Sequence, residues 1–176
     1  MTTTTPDLTA TTTQVHRVYI KASAEKIWEA ITDPEWSQRY GYGGFVHYDL
    51  KPGGKLEVEP DDKMKAASAE MGWELPDVII DGEVIEADPP HKLVTTWRML
   101  MDPTTASEGF TTLTHEIREQ EGGFCTLTLI HELAGAPTLY ALVAGNENPA
   151  ADGGGGHPWV LSDLKSLLET GSTLAG

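Results

Sequence analysis

Six strand-like segments follow one another along the middle of the chain, and this run constrains the fold more than any other feature. The segments cover residues 45–50, 55–59, 78–87, 93–101, 110–119 and 124–133. Most are separated by short stretches of Gly, Pro and Asp, which favour tight turns. Short turns join antiparallel neighbours, because parallel strands need a long crossover. The pattern therefore predicts an antiparallel meander.

A strand and two helices are predicted before the meander. Residues 15–21 are rich in β-branched and aromatic residues, which favour a strand. Ser23 is a good N-cap, and apolar residues at positions 24, 27, 28 and 31 give the helix that follows one buried face. Asp33-Pro34 ends this helix, since the residue before proline avoids the α region. A second short helix is expected to carry Trp36 and Tyr40.

Three more helices are predicted further along the chain. Within a 60–77 insertion, Met64, Ala67 and Met71 have helical spacing, with Gly72 just beyond. Residues 137–143 are predicted to form a short helix that begins at Pro137 and is stopped by Gly145. A Gly-rich loop is predicted over 145–157. The last helix begins at Pro158 and ends at Gly171, with its leucines on one face.

This order of elements predicts an α+β fold, in which a curved antiparallel sheet of about seven strands wraps around the long C-terminal helix. One helix cannot fill the concave side of such a sheet, so we expect a cavity between the sheet, the last helix and the early helices. A polar, Thr-rich leader over residues 1–14 is expected to be flexible. Residues 15–176 then form a single domain.

Composition limits the partners of this domain. The 176 residues include 27 acidic and 12 basic ones, a net charge of −15, so we expect no binding to nucleic acid or to an anionic membrane. No apolar run is long enough to span a bilayer, and the N-terminal residues lack the pattern of a signal peptide. A single cysteine suits the reducing cytoplasm, where we place the protein. The net charge also favours a neutral or cationic ligand over an anionic one.

Several short stretches of this sequence resemble one known family. They are residues 18–34 (VYIKASAEKIWEAITDP), 50–55 (LKPGGK), 82–90 (GEVIEADPP), 93–98 (LVTTWR), 126–132 (TLTLIHE) and 159–165 (WVLSDLK). In this order they are similar to the heat-shock protein 90 ATPase activator-like family of the START-like (SRPBCC) superfamily. The resemblance covers about residues 15–170 and implies the helix-grip fold of birch-pollen-allergen relatives and polyketide cyclases. It does not fix an activity, because one fold hosts many functions.

Aromatic residues near the expected cavity mouth are the first candidates for ligand contacts. Four of them fall within ten residues, namely Trp36, Tyr40, Tyr42 and Phe45. The resemblance places the early helices and this loop at one end of the pocket, where flat side chains suit an apolar ligand. The other predicted ligand-binding residues are Trp97, Met99, His115, His131 and Trp159. Ordinary core or loop packing is the alternative for the aromatic residues, and a hydrogen-bonded or partly exposed imidazole is the alternative for the two histidines.

Candidates for acid–base chemistry are Tyr40, Tyr42, His47, His115 and His131. Strand alternation groups Trp97 with Leu93, Thr95 and Met99, and it places His115 and His131 on apolar faces that should point inward. If the hairpin is centred on Glu121-Gly122, His115 lies opposite Leu127 and His131 opposite Thr111. The two imidazoles would then be about 13 Å apart at about 3.3 Å per residue.

No motif indicates a metal or another cofactor. The six histidines include no HxH, HxxxH or HExxH pair, and one cysteine cannot build a usual zinc site. The glycine run at 153–156 lacks the Gly-Lys-Ser/Thr ending of a phosphate loop. Cys125 lies within a strand and is expected to be buried, and Arg98 is expected to pair with a carboxylate. We therefore expect no cofactor.

Three functions remain open at this stage. The first is binding of a small, largely apolar molecule, aromatic or polyketide-like, in the cavity. The second is a cofactor-independent cyclase, aromatase or hydrolase that acts on such a molecule through acid–base chemistry. A co-chaperone-like interaction protein ranks last, and we expect no contact with a chaperone. An exposed strand edge would allow a homodimer.

Overall fold

The computed structural model describes residues 12–148 and 154–175. Within them, seven strands form one sheet. The strands are β1 (Thr13–Ile20), β2 (Phe45–Tyr48), β3 (Lys55–Glu59), β4 (Ile80–Asp88), β5 (Lys92–Met99), β6 (Thr111–Gln120) and β7 (Phe124–Glu132). The helices are α1 (Ala24–Thr32), α2 (Pro34–Ser37), α3 (Asp62–Glu70), α4 (Pro103–Ser107), α5 (Pro137–Ala144) and α6 (Gly156–Thr170).

The sheet order is β1-β7-β6-β5-β4-β3-β2, and every neighbouring pair is antiparallel. Strands β2 to β7 are therefore a meander, as the short turns predict, and β1 adds to the free edge of β7. The first turn needs glycine, since Gly53 has a φ of 84° and a Cβ on Gly54 would lie 2.0 Å from the carbonyl oxygen of Asp49.

Helices α1 and α6 cover one face of the sheet. α1 begins after Ser23, whose hydroxyl accepts a hydrogen bond from the N–H of Lys26. It buries Ala24, Ile27 and Ile31 in a core that also contains Leu161 and Leu164 of α6. This arrangement confirms the α+β helix-grip fold, with its curved sheet and long C-terminal helix.

Some boundaries differ from the sequence prediction. β1 begins at Thr13, so the last two residues of the predicted leader belong to a strand, and Gln14 is buried. Most of the leader, and residues 149–153 of the Gly-rich loop, lie outside the described residues. α6 begins at Gly156 rather than Pro158, which places His157 in its first turn.

Two predicted helices also differ in detail. α2 is a single turn that ends at Ser37, because Pro34 and the Asp33 side chain start a helix that has no apolar face to extend it, so Tyr40 lies beyond it. α3 confirms the helix of the insertion, although Ser68, not the predicted apolar face, is its buried residue. The structure adds α4 at a place where the sequence pattern predicts only a turn. No helix of the described ranges is long and apolar enough to cross a membrane.

Candidate functional site

The concave face of the sheet alternates polar and leucine side chains. Along one row of paired positions lie His16, Leu129, His115 and Leu93, and along the next lie Gln14, His131, Leu113 and Thr95. The leucines, Thr95 and His131 are almost fully buried, as is Trp97 one row further on. The prediction that these strand faces point inward is confirmed.

The pairing of the two central histidines differs from the prediction. The hairpin between β6 and β7 has the three-residue loop Glu121-Gly122-Gly123, in which both glycines have positive φ. This loop pairs His115 with Leu129 and His131 with Leu113. The two histidines are therefore diagonal neighbours two residues apart along the sheet, and not four as expected.

Two buried polar atoms on this face have no hydrogen-bond partner among the described residues. They are Oγ1 of Thr95 and Nδ1 of His115. Thr95 pairs with Leu113 and His115 with Leu93, so the two residues are diagonal neighbours on β5 and β6. Buried polar groups in proteins almost always find a partner, so two such atoms side by side indicate a place where a ligand or water would bind.

Next to this pair, a chain of hydrogen bonds runs through two imidazoles. Oγ1 of Thr111 lies 2.9 Å from the carbonyl oxygen of Trp97 and 2.7 Å from Nε2 of His131. Nδ1 of His131 lies 3.0 Å from Nε2 of His157.

Donor and acceptor roles along this chain follow from chemistry. A carbonyl oxygen can only accept, so Thr111 donates to Trp97 and accepts from Nε2–H of His131. In a neutral imidazole Nδ1 is then an acceptor, and His157 donates to it through Nε2–H. The arrangement fixes both tautomers and leaves Nδ1 of His157 without a proton.

The surroundings of these imidazoles hold them in the neutral form. Burial lowers the pKa of His115 to about 4. Burial, together with the nearby His115 and His16, lowers the pKa of His131 to about 3. Burial, and then the neighbouring histidines, keeps the pKa of His157 well below its usual value. A charged imidazole is disfavoured here because burial removes its hydration and a neighbouring charged imidazole would repel it.

Sequence reasoning missed His157, His16 and Thr111 in this cluster. The ring of His16 lies 5.6 Å from that of His157, and its Nε2 is 2.8 Å from Oε1 of Gln14. Strand alternation could have placed His16 and Gln14 on the inward face, beside Val18 and Ile20. Nothing local could have found the contact of His157, which joins residues 26 positions apart.

The aromatic cluster predicted at the cavity mouth is divided between several places. The cations of Lys26 and Arg39 lie over the ring of Trp36, 4.0 and 4.5 Å from its centroid, and Nε1 of Trp36 donates to Glu29. Tyr40 is half-buried, and its hydroxyl donates to the carbonyl oxygen of Ala30. Burial, and then nearby Tyr48, raises the pKa of Tyr40.

Tyr42 is closer to the C-terminal helix. Its hydroxyl oxygen accepts a hydrogen bond from the N–H of Gly155 at 2.6 Å, just before α6 begins. Burial raises the pKa of Tyr42, against the effect of the Gly155 and Gly156 amides. Phe45 is half-buried at the start of β2. Tyr42 thus joins the early loop to α6, whereas Trp36 contacts Lys26 and Glu29 of α1.

The remaining candidates are also separated. His47 is exposed on β2, with Nε2 3.8 Å from a carboxylate oxygen of Glu59, and so lies apart from the buried imidazoles. Met99 and Trp159 are half-buried. Trp97 does join the cluster, since its ring is perpendicular to that of His131 at 5.3 Å. Of the predicted residues, the structure therefore brings together Trp97, His115 and His131.

Two further expectations agree with the structure. Cys125 is buried, and Arg98 forms a paired contact with Asp81, with Nη2 2.7 Å from Oδ2. Among residues 12–148 and 154–175, no three His, Cys, Asp or Glu side chains are grouped to hold a metal ion.

Two open depressions lie away from the concave face. One, of about 430 Å³, lies on the opposite face of β1, β7 and β6. The other, of about 730 Å³, lies between the insertion and the end of β5, where the Trp73 side chain is 64% exposed.

Solved structures share this fold at low sequence identity. Protein MLL2253 from Mesorhizobium loti is 20% identical with a TM-score of 0.59, and the match covers 89% of this chain and 96% of that one. CalU16 from Micromonospora echinospora, solved in solution, is 17% identical with a TM-score of 0.58, covering 93% and 69%. DynU16, from the dynemicin biosynthetic locus, is 18% identical with a TM-score of 0.57, covering 92% and 49%.

These likenesses show the fold alone. The chain spans about half the length of DynU16 and 59% of CalU16 in its crystal structure. No curated protein sequence is significantly similar to it. A family model described as "Activator of Hsp90 ATPase homolog 1-like protein" matches residues 21–169, most of the chain. This confirms the resemblance found in the sequence, and the protein belongs to the Activator of Hsp90 ATPase homolog 1-like family.

Proposed function

We propose that this protein binds a small, largely apolar molecule between the sheet and the C-terminal helix. The observation that carries the proposal is the pair of buried atoms without a hydrogen-bond partner, Oγ1 of Thr95 and Nδ1 of His115. Leaving such an atom unpaired costs about 1–3 kcal/mol, so a ligand that bonds to both gains affinity from each.

The surroundings of the two atoms define the ligand. Leu93, Leu113 and Ile117 are buried beside them, so most of the ligand is apolar. Diagonal positions of a sheet are about 7–8 Å apart, so one hydroxyl or carbonyl oxygen of a ligand that enters between the two side chains can contact both atoms. Because burial keeps His115 neutral, an uncharged ligand fits this position best.

The test compares stability and binding in one variant. Thr95→Val replaces the unpaired hydroxyl by a methyl group of similar size. We expect the free protein to become as stable or more stable, and binding of neutral aromatic metabolites to weaken about tenfold. Thermal shifts and tryptophan fluorescence measure both, with Thr112→Val on the opposite face of the sheet as the matched control.

Two results would count against this function. One is a flat response of the unaltered protein to a broad panel of apolar and aromatic metabolites. The other is a Thr95→Val variant that is less stable but binds as before. Native mass spectrometry of the protein from its own cells identifies a ligand that remains bound to it.

We place this activity in the cytoplasm because the single cysteine, Cys125, allows no internal disulfide.

A cyclase or hydrolase acting on such a ligand is the second candidate, and the Thr111–His131–His157 chain favours it. Nδ1 of His157 has a free lone pair and would accept a proton from a bound acid only transiently, because burial and the neighbouring histidines keep the pKa of His157 well below its usual value. Exchange of an acidic ligand hydrogen with deuterated water should then depend on His157. Unchanged exchange in His157→Gln would exclude this candidate.

A further inference from the structure

The outer face of the sheet contains a groove whose shape follows from three neighbouring strands. The central strand β7 contributes the short side chains of Thr126 and Thr128, both mostly buried. Longer side chains stand on each side: Arg17 and Tyr19 on β1, and Glu116 and Arg118 on β6. Short residues between long ones leave a trough of about 430 Å³, within the range of small-molecule sites.

The charge of this groove differs from that of the molecule. The chain has only four arginines against 27 acidic residues, and two of them, Arg17 and Arg118, line the same trough. Neither forms an ion pair with a carboxylate of the described residues, whereas Arg98 is paired with Asp81 and Arg39 lies over Trp36. In such an acidic protein, two unpaired guanidiniums at one place form a local anion-binding feature.

One of these guanidiniums is already oriented. Nε of Arg17 donates to Oγ1 of Thr128 at 3.0 Å, which leaves its two terminal nitrogens for another acceptor. Thr128 pairs with both Arg17 and Glu116, and Thr126 with both Tyr19 and Arg118. The two arginines are thus diagonal across β7, and an anion above the threonines can reach both.

Aromatic side chains form one end of the trough. The rings of Tyr19 and Phe124 are tilted against each other with centroids 6.4 Å apart. Tyr19 is 58% exposed, which leaves one ring available for contact. An aromatic pair with one exposed ring, beside two arginines without an ion pair, offers a surface for a flat ring and for a charge attached to it.

We propose that this groove binds a small aromatic carboxylate, with the carboxylate between Arg17 and Arg118 and the ring against Tyr19 and Phe124. The net charge of −15 favours a neutral or cationic ligand only at places whose local charge is also negative. In this groove two arginines make the local charge less negative than that of the whole protein, so an anionic ligand fits. Glu116 lies level with Arg17 on the other side of Thr128, and beside Arg118 along β6, so its carboxylate repels that of the ligand and favours the side of the groove nearer the aromatic pair.

Phenylacetate tests the proposal, with phenylacetamide as its uncharged match and acetate as the match without a ring. Calorimetry and NMR of the labelled protein should show phenylacetate bound, with shifts at Tyr19 and Phe124. Both control molecules should bind at least about tenfold more weakly. Arg118→Gln should reduce phenylacetate affinity by a similar factor, whereas Arg39→Gln, an arginine elsewhere, should leave it unchanged. Added salt should weaken binding.

Further variants separate this groove from the concave face. Glu116→Gln should strengthen phenylacetate binding, because it removes a like charge, and Thr95→Val should not affect it. Equal affinity for phenylacetate and phenylacetamide would overturn the proposal, as would no effect of Arg118→Gln in a variant with unchanged circular dichroism. So would an absence of shifts on the outer face of β1 and β7.

Discussion

Asp163 is a buried carboxylate with its hydrogen bonds filled, in contrast to the unpaired atoms of Thr95 and His115. It lies on the inner face of α6, and its Oδ2 accepts from the N–H of Gly41 at 2.7 Å. Its Oδ1 accepts from the N–H of Leu174 at 2.8 Å. One side chain therefore attaches both the loop before β2 and the segment after α6 to the helix.

Removal of this carboxylate should destabilise the fold. We expect Asp163→Ala to lower the free energy of unfolding by about 2–4 kcal/mol, because two backbone donors lose a charged acceptor. Asp163→Asn should cost less, since its amide keeps one acceptor oxygen. Urea unfolding measures the difference, with the exposed Asp77→Ala as the control. A loss no larger than that of the control would show that water replaces the carboxylate.

Residue-level prediction from the sequence succeeded where strand alternation decides the outcome. Alternation placed Trp97, His115 and His131 on the inward face because each side chain direction follows from its position in a strand. It could not predict that His157 joins them, since this contact depends on how α6 lies across the sheet. The separation of Trp36 from Tyr42 likewise depends on the short length of α2. The residues of a single helical turn do not determine where that helix ends.

At the scale of elements, the hairpin between β6 and β7 determines the geometry of the candidate site. A change of two residues in register would double the separation of His115 and His131 along the sheet. The observed loop of Glu121, Gly122 and Gly123 sets this register through two glycines with positive φ. The sequence shows that a turn lies between β6 and β7. Which residues stand at its centre depends on the geometry of the loop, which the composition of the turn does not specify.

The inward histidines of β1, β6, β7 and α6 should make stability depend on pH. A histidine whose folded pKa is lowered costs nothing above the unfolded pKa of about 6.5, where both states are neutral. Below that pH the unfolded chain binds a proton and the folded one does not, so stability falls until the folded pKa is reached. For His115 this window extends from 6.5 to about 4.

A variant isolates this contribution from that of the carboxylates. Between pH 6 and pH 4, the urea-unfolding free energy of His115→Leu should fall less steeply than that of the unaltered protein, by up to about 1.4 kcal/mol per pH unit. His91→Gln, which changes an exposed histidine, should follow the unaltered protein. Parallel pH profiles for His115→Leu and the unaltered protein would mean that His115 titrates normally in the folded state.

At the scale of the whole molecule, the fold was predictable because many weak signals agreed. Turn residues, strand alternation and two amphipathic helices each limit the architecture, and their order leaves few ways to bury every apolar face. The two proposed binding sites are not supported by several agreeing signals in this way. The groove on the outer face depends on the lengths of side chains on three strands, of which β1 is far in sequence from β6 and β7. A pattern within one stretch of sequence therefore does not reveal the groove.

The net charge of −15 should oppose folding as a whole. Bringing 27 acidic and 12 basic residues into a compact shape increases their mutual repulsion, and the ion pairs present are mostly solvent-exposed and therefore weak. Screening should relieve the repulsion. Raising NaCl from about 10 mM to about 200 mM should increase the free energy of unfolding by on the order of 1 kcal/mol. Urea midpoints measure it, and KCl should act equally because the effect is not specific to one cation. A midpoint that falls with salt would instead show that pairs such as Arg98–Asp81 outweigh the repulsion.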